Sequence, residues 1–380
     1  MIYLFVVLLR TLVRGLDMKS LRFCPHHLVL AFTLATLLSG CHKYKTCPAH
    51  YVVEPAPPAL HATRVLFATD REPKSLEHLT FSAERNLAPQ RLTYGVKCED
   101  PEGEKASCTE SSLAFPKAEF FRRVTEADKD VVLFIHGYRY SFDESLQIAA
   151  RLVQRSKVDA LPVAYSWPSQ NRLFAYGKDY DVNEWTFEHL TGFLQELVDA
   201  LPPRHVLHIV AHSMGNRAAL QCLARLNLPA ERLGQLVMIA PDVDSQTFRE
   251  LFLRSGPFKN RTMYLSNHDL ALGFSRILHS RTPRAGDAKR EYVVADGLDT
   301  VDASPLSAGL IGHSYYESSQ LMFDDIGEVL KGNVASARNL DRCDLQTLKK
   351  KKDKTTTDTI EIIYRLPYDK PNRHEIKNGS

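Results

Sequence analysis

The sequence contains no apolar run of the roughly twenty residues that a membrane-spanning helix requires, which excludes a polytopic membrane protein. Its composition is neither collagen-like nor low-complexity, and no internal repeat is visible. No Cys–His spacing resembles a zinc site. A surplus of positive charge is also missing. The 48 Lys and Arg stand against 45 Asp and Glu, and a net of +3 argues against a nucleic-acid-binding surface. Even that surplus is local. Residues 1–40 carry Arg10, Arg14, Lys19 and Arg22 against Asp17, and the remainder holds 44 basic and 44 acidic residues. What is present is an ordinary globular composition, 44% hydrophobic over 380 residues, enough for one large α/β domain or two smaller ones.

The first forty residues read as an address. The run Leu28–Leu38 is 11 residues long, the length of a signal-peptide core, with Lys19 and Arg22 before it and Met18 as a natural start. Leu38-Ser39-Gly40-Cys41 follows and resembles the lipobox of bacterial lipoproteins, in which the cysteine is diacylated and becomes the mature N-terminus. Several acyl chains on Cys41 would hold firmly, since each buried CH₂ contributes about 0.8 kcal/mol. His42 stands where an Asp would suggest inner-membrane retention, so an outer-membrane location is favoured. Residues 1–17 fit no part of a signal and read either as a start placed upstream of Met18 or as a second apolar segment. Residues 41–63, with Pro48, Pro55, Pro57 and Pro58, read as an extended tether.

Cysteine use agrees with an oxidising compartment. Cys98 and Cys108 flank a charged loop and suit a hairpin disulfide; Cys47 and Cys343 pair only if the two ends of the mature chain meet. Cys222, in a helical run, reads as a small buried apolar residue.

From Arg64 the pattern is orderly. Short apolar strands at Arg64–Thr69, Leu92–Lys97 and Ser112–Phe115 suggest antiparallel entry to a sheet. Strands and helices then alternate, the mark of a mostly parallel sheet with helices on both faces. The strands Val131–Ile135, Pro162–Ser166, Val206–Val210, Leu236–Ala240, Arg261–Leu265 and Thr300–Ala303 are apolar enough to be buried on both faces. Helices are expected at Glu144–Ser156, Trp185–Ala200, Asn216–Leu226, Gln246–Arg254, Leu270–His279 and Tyr315–Val329, the first opened by a Ser141/Glu144 capping box. These elements make residues 64–330 a single domain. Residues 331–380, with Lys349–Lys352 and Lys354, read as a basic extension.

The sharpest feature is Val206-Leu-His-Ile-Val-Ala-His-Ser-Met-Gly215, a strand followed at once by a helix. Ser213 sits at the turn inside a small-x-Ser-x-Gly frame, with Ala211 where Gly is usual. Such a turn strains the serine backbone, aims its hydroxyl at the sheet mouth and sets the next N–H at a helix N-terminus. A serine nucleophile needs a base and an orienting acid, in chain order Ser, Asp, His on this pattern. Asp269, just past strand Arg261–Leu265, is the acid. Asp242, one strand earlier, is the alternative, although Asp242 and Asp244 also suit helix N-caps. His313, in Gly-His-Ser-Tyr, is the base; His279, His268 and His212 fit less well by order or setting. The oxyanion hole would use the N–H groups of Met214 and Tyr138, the latter after the turn at His136-Gly137. No metal or organic cofactor is required. Only one short helix is expected between Ala240 and Arg261, so the lid is minimal and the cleft open. Leu173, Phe174, Tyr176 and Tyr180 suit either an acyl-binding wall or loop packing.

With these residues stated, the chain resembles the α/β-hydrolase superfamily, nearest to a bacterial family of predicted esterase/lipase-like serine hydrolases of unassigned function. The landmarks are Phe67-Ala-Thr-Asp-Arg71, His136-Gly-Tyr138, Ser166-Trp-Pro-Ser169, Ala211-His-Ser-Met-Gly-Asn216, Ala240-Pro-Asp-Val-Asp244, Pro283-Arg-Ala-Gly-Asp287 and Gly312-His-Ser-Tyr315. The resemblance implies the α/β-hydrolase fold and a triad of Ser213, Asp269 and His313. The expected function is cleavage of small-molecule or lipid esters through an acyl-serine intermediate at the cell envelope. An envelope acyltransferase with the same triad and a catalytically silent envelope binding module are the alternatives.

Overall fold

The computed structural model describes residues 44–46, 51–52, 55, 57–99, 112–172, 175–289, 292–306, 317, 319–346 and 360–369. The chain divides into Met1–Cys41 and His42–Ser380, and every described residue belongs to the second unit. Cys41, Cys108 and His313 lie outside the described residues, as do residues 1–43.

The N-terminal part is all strand: β1 (Tyr44–Thr46), β2 (Tyr51–Val52), β3 (Thr63–Thr69), β4 (Arg71–Ser75), β5 (Thr80–Arg85), β6 (Thr93–Glu99) and β7 (Leu113–Phe115). Alternation begins with α1 (Lys117–Glu126), β8 (Asp130–Ile135), α2 (Phe142–Arg155) and β9 (Ala160–Ser166). It continues through α3 (Tyr176–Trp185), α4 (Phe187–Ala200), β10 (Leu207–His212), α5 (Met214–Leu223) and β11 (Leu233–Ile239). Next come α6 (Ser245–Leu253), β12 (Asn260–Leu265), α7 (Leu270–Leu278) and β13 (Asp299–Asp302). The described chain closes with α8 (Gln320–Leu330), β14 (Asp341–Gln346), β15 (Ile360–Arg365) and β16 (Tyr368–Asp369).

Twelve strands form one sheet, ordered β1-β14-β15-β13-β12-β11-β10-β8-β9-β3-β6-β7. The eight from β15 to β3 run parallel. Antiparallel strands finish both edges, β6 and β7 at one and β14 and β1 at the other. The central strands are buried on both faces because helices cover both. Phe120 of α1, Phe193 of α4, Leu220 of α5 and Phe248 of α6 pack on one side. Leu146 and Leu152 of α2 and Met322, Phe323 and Ile326 of α8 pack on the other. Each such side chain contributes about 1.5–3 kcal/mol by leaving water. The Ser141/Glu144 capping box opens α2 as its spacing indicates.

Two features depart from the sequence reading. The sheet runs on past residue 330, taking β14 and β15 from the stretch read as an extension and β1 from the stretch read as a tether. In β14, Cys343 and Leu345 are buried while Arg342 is exposed, a strand alternation too short to stand out of Lys- and Thr-rich surroundings. Second, α1 and α3 were not anticipated. α1 is short and rich in charge, with an apolar face of only Phe120, Phe121 and Val124, and α3 buries Asp179 and Asn183 among its apolar residues, which erases its stripe. Cys98 and Cys343 are both disulfide-bonded. Eight strands separate β6 from β14 in the sheet, so the two are not each other's partner, and the expected partners Cys108 and Cys47 lie outside the described residues. Cys222 is buried and free.

Helix α8 meets the end of α2 so closely that a Cβ at Gly327 would lie 2.3 Å from the Ser156 carbonyl oxygen, whereas one at Gly192 of α4 meets nothing. Gly327→Ala should therefore destabilise the fold by about 1–3 kcal/mol through overpacking. Gly192→Ala should stabilise it by up to about 1 kcal/mol through helix propensity. Paired denaturant melts check the opposite signs.

Candidate active site

Strand β8 lies between β9 and β10. The chain leaves β8 toward one neighbour and returns to the other, so the loops after β8 and β10 diverge from a crevice at the carboxyl ends of the strands. The register aligns Ala211 of β10 with Ile135 of β8 and therefore brings Ser213 abreast of Gly137. A Cβ at Gly137 would stand 2.7 Å from that of Ser213, and one at Gly215 would stand 2.4 Å and 2.5 Å from the carbonyl oxygens of Ile135 and His136. Only glycine fits at either place.

Ser213 adopts φ 52° and ψ −123° as the residue preceding α5. A non-glycine residue there costs roughly 1–3 kcal/mol, so surrounding bonds must hold it. The Ser213 N–H donates to Ile239 O (2.9 Å), and its carbonyl accepts from the N–H of Asn216 (3.1 Å) and of Asp242 (3.2 Å). The Asn216 side-chain amide donates to the carbonyls of Ala211 (3.1 Å), Ser213 (3.2 Å) and Ile239 (3.0 Å). Asn216 thus staples the elbow to β11. Met214 N–H follows as the first of α5, a position without an intrahelical acceptor.

A buried cation supports the loop after β8. Arg71 Nε donates to Ser166 Oγ (2.9 Å), Nη1 to Ser169 O (3.1 Å) and Nη2 to Tyr140 O (2.8 Å). Burial lowers its pKa to about 10, against the opposing pull of Asp70 and Asp179, so it remains charged at neutral pH. Ser169 Oγ donates to Asp179 (2.5 Å) and accepts the Arg139 N–H (2.7 Å). His136 stacks on Trp167 at 4.9 Å and 8°, and Trp167 Nε1 donates to His136 O (2.7 Å). Both His136 ring nitrogens face carbonyl oxygens, Gly137 O at 2.8 Å and Trp167 O at 3.1 Å. Those contacts favour a second proton, but burial and the adjacent Arg71 outweigh them and hold the pKa well below the ordinary value. Tyr138, the expected oxyanion donor, follows Gly137; its hydroxyl donates to Arg172 O (2.8 Å), and burial raises its pKa to about 12.

The two candidate acids lie in different settings. Asp242, past β11, accepts from Tyr176 OH (2.7 Å) and Ser275 Oγ (2.6 Å), and Arg284 Nε lies 3.3 Å away. Both its oxygens thus serve a buried network. Asp269, past β12, is fully buried, caps α7 and accepts the Leu272 N–H on Oδ1 (2.9 Å). Asp244 caps α6, accepting from Gln246 and Thr247. The segment Pro283–Asp287 binds these loops together: Gly286 N–H donates to Pro241 O (3.0 Å) and Gly286 O accepts from Ser266 N–H (3.1 Å). Of the expected acyl wall, Tyr176 is buried with its hydroxyl on Asp242 and Ser275, and Tyr180 lies under Arg217. Leu173 and Phe174 are outside the described residues.

His313 belongs to residues 307–316, between described ends at the carboxyl side of β13 and at Glu317, which accepts the Tyr140 hydroxyl. Between β11 and β12 the single helix is α6, matching the expected minimal lid. Among the described residues no group of three or more His, Cys, Asp and Glu side chains is arranged to hold a metal ion. Sequence reasoning missed Asn216, Arg71 and Arg284 as supports, although all three fall within the motifs that carry the resemblance.

A family model described as an alpha/beta hydrolase of unknown function (DUF900) matches residues 114–330. No curated protein matches. Solved structures to which the chain shows similarity include the Francisella virulence factor BioJ, at 13% identity over 64% of this chain and 81% of that one, TM-score 0.29. A Pyrobaculum calidifontis esterase gives 13% identity over 53% and 76%, TM-score 0.29. Esterase B of Lactobacillus rhamnosis gives 9% identity over 80% and 95%, TM-score 0.34. Likeness this distant says nothing of substrate.

The neutral state of buried His136 has a consequence for stability. Its folded pKa lies below the unfolded value of about 6.5, so the unfolded chain binds more protons as pH falls. The contribution is complete above about pH 6.5 and is lost on acidification at up to about 1.4 kcal/mol per pH unit. Urea melts at descending pH should show a shallower loss in His136→Gln than in the parent.

Proposed function

Since the chain belongs to the alpha/beta-hydrolase family of unknown function DUF900, we propose that it is a serine hydrolase cleaving carboxylic esters with Ser213 as nucleophile. The observation that carries this is the backbone of Ser213, held at φ 52° between β10 and α5 and abreast of Gly137.

In the proposed reaction His313 takes the Ser213 proton as Oγ attacks the ester carbonyl carbon. The N–H groups of Met214 and Tyr138 hold the oxyanion. Collapse expels the alcohol, which leaves with the proton from His313, and the acyl group stays on Ser213. Water, deprotonated by His313, then attacks the acyl-serine, releasing the acid and restoring the hydroxyl. Asp269 orients the imidazole and stabilises its cation. The employment of both Asp242 oxygens by Tyr176, Ser275 and Arg284 favours Asp269 for this role.

We also propose that the enzyme is anchored at the bacterial outer membrane through diacylated Cys41, a reading carried by the Leu38–Cys41 sequence. The disulfide-bonded state of Cys98 and Cys343 supports an oxidising compartment. Incorporation of labelled palmitate in cells, lost in Cys41→Ser, is the expected result; labelling unaffected by that change refutes the anchor.

A fluorophosphonate probe should label the parent and not Ser213→Ala, and turnover of a p-nitrophenyl ester should fall by roughly 10⁶-fold. Asp269→Asn should lower kcat by about 10⁴-fold. Asp242→Asn should instead cost about 3–5 kcal/mol of stability, by leaving Arg284 buried without its carboxylate. The reverse pattern for the two acids would transfer the triad to Asp242.

A further inference from the structure

Helix α7 wears its polarity inverted. A surface helix usually turns its apolar face to the core. Here the inward contacts are polar: Ser275 Oγ donates to Asp242 (2.6 Å) and accepts from Arg284 Nε (3.0 Å), and Arg276 Nε lies 3.4 Å from buried Asp287. Leu272 and Ser275 are the buried residues of the helix. Outward, Leu270, Ile277 and Leu278 are 50%, 63% and 51% exposed. Phe274, half-buried, completes a stripe at positions 270, 274, 277 and 278, which share one helical face.

The helix and the segment after it carry charge of one sign. From Leu270 to Gly286 the sequence holds Arg276, His279, Arg281 and Arg284 and no carboxylate. Arg276 and Arg284 turn inward to Asp287 and Asp242. Arg281 is exposed, as are Arg139 and Arg172 on the neighbouring loops, and none of the three forms an ion pair among the described residues. The rings of Tyr138, Tyr176 and His279 join these loops to the end of α7, at 5.5 Å and 5.6 Å between successive centroids. These ring contacts set the loops that carry Arg139 and Arg172 beside the end of α7, and Asp269 caps the other end of the same helix.

We propose that α7 docks the enzyme on a lipid surface bearing anionic headgroups. Leu270, Phe274, Ile277 and Leu278 enter the boundary between headgroups and acyl chains, and Arg139, Arg172 and Arg281 face the phosphates. The catalytic edge is thereby presented to esters carried in that surface. This names the substrate class of the serine site and rests on that reading for turnover, while the docking itself does not depend on it.

The test of docking uses the full chain carrying Ile277→Trp, mixed with phosphatidylglycerol/phosphatidylcholine vesicles whose acyl chains are brominated. Emission of the introduced indole, measured against the parent protein, should fall by about twofold or more, and by less in vesicles of phosphatidylcholine alone. Absence of quenching in the anionic vesicles overturns the proposal. So does a dimer in sedimentation that Leu270→Ser/Ile277→Ser/Leu278→Ser dissolves, since a second copy then covers the stripe. For the substrate class, the triple variant should lower the ratio of vesicle-borne to soluble ester turnover by about tenfold. An unchanged ratio refutes the delivery of lipid-borne esters. Quenching without Ser213-dependent turnover of either ester would defeat the hydrolase reading and leave the docking intact.

Discussion

The close approach of two backbones, at Gly137 after β8 and Ser213 after β10, is the contact on which the rest of the site depends. A methyl group at residue 137 or 215 would fall within 2.7 Å of the opposing atoms. Parallel strands set the two loops side by side, but van der Waals contact between main chains is a stronger demand than sheet pairing makes. It requires glycine on both sides and a serine in a backbone region that side chains avoid. The strain is local and roughly 1–3 kcal/mol. It persists because the Asn216 amide and the backbone groups of Ile239 and Asp242 fix the serine from the β11 side.

Two buried arginines carry that contact outward, one to each side. Arg71 gathers the carbonyls of Ser169 and Tyr140 and the Ser166 hydroxyl beneath the β8 loop. Arg284 meets Asp242 and Ser275 beneath the β11 loop. Loops have few apolar groups to bury, so directional hydrogen bonds to a charge define their shape better than packing would. A buried guanidinium also needs a nearby negative charge to remain affordable. Asp70 and Asp179 supply it for Arg71, and Asp242 supplies it for Arg284.

Much of this was legible in the residues. Apolar runs such as Val131–Ile135 marked the strands, the elbow frame marked Ser213, and the β11–β12 interval held one short helix as expected. The failures share a cause. α3 buries Asp179 and Asn183 because they bond Ser169, Gln170 and the Met214 carbonyl, and polar residues inside erase the apolar period by which a helix is recognised. β14 and β15 are short, and their alternation is drowned by the lysines between them. The role of Arg71 could not be read from periodicity, since its partners Tyr140, Ser166 and Ser169 are 69 to 98 residues away. Only the recurrence of such residues in the landmark motifs hinted that they do something together.

The inverted polarity of α7 follows from the same design. The helix bears Asp269 at its N-cap, so its orientation fixes where that carboxylate lies. Apolar packing would hold it with little directional preference, and a helix resting on leucines can slide or roll at small cost. Ser275 bonded to Asp242 and Arg284, with Arg276 beside Asp287, permits far less rotation. Once the inward face is given to hydrogen bonds, the helix's leucine, isoleucine and phenylalanine residues other than Leu272 have no core to enter. Their exposure is a geometric consequence of how Asp269 is held, and it leaves an apolar surface on α7. A lipid-facing role for α7 therefore requires no separate structural element: the constraint that orients Asp269 also creates the surface.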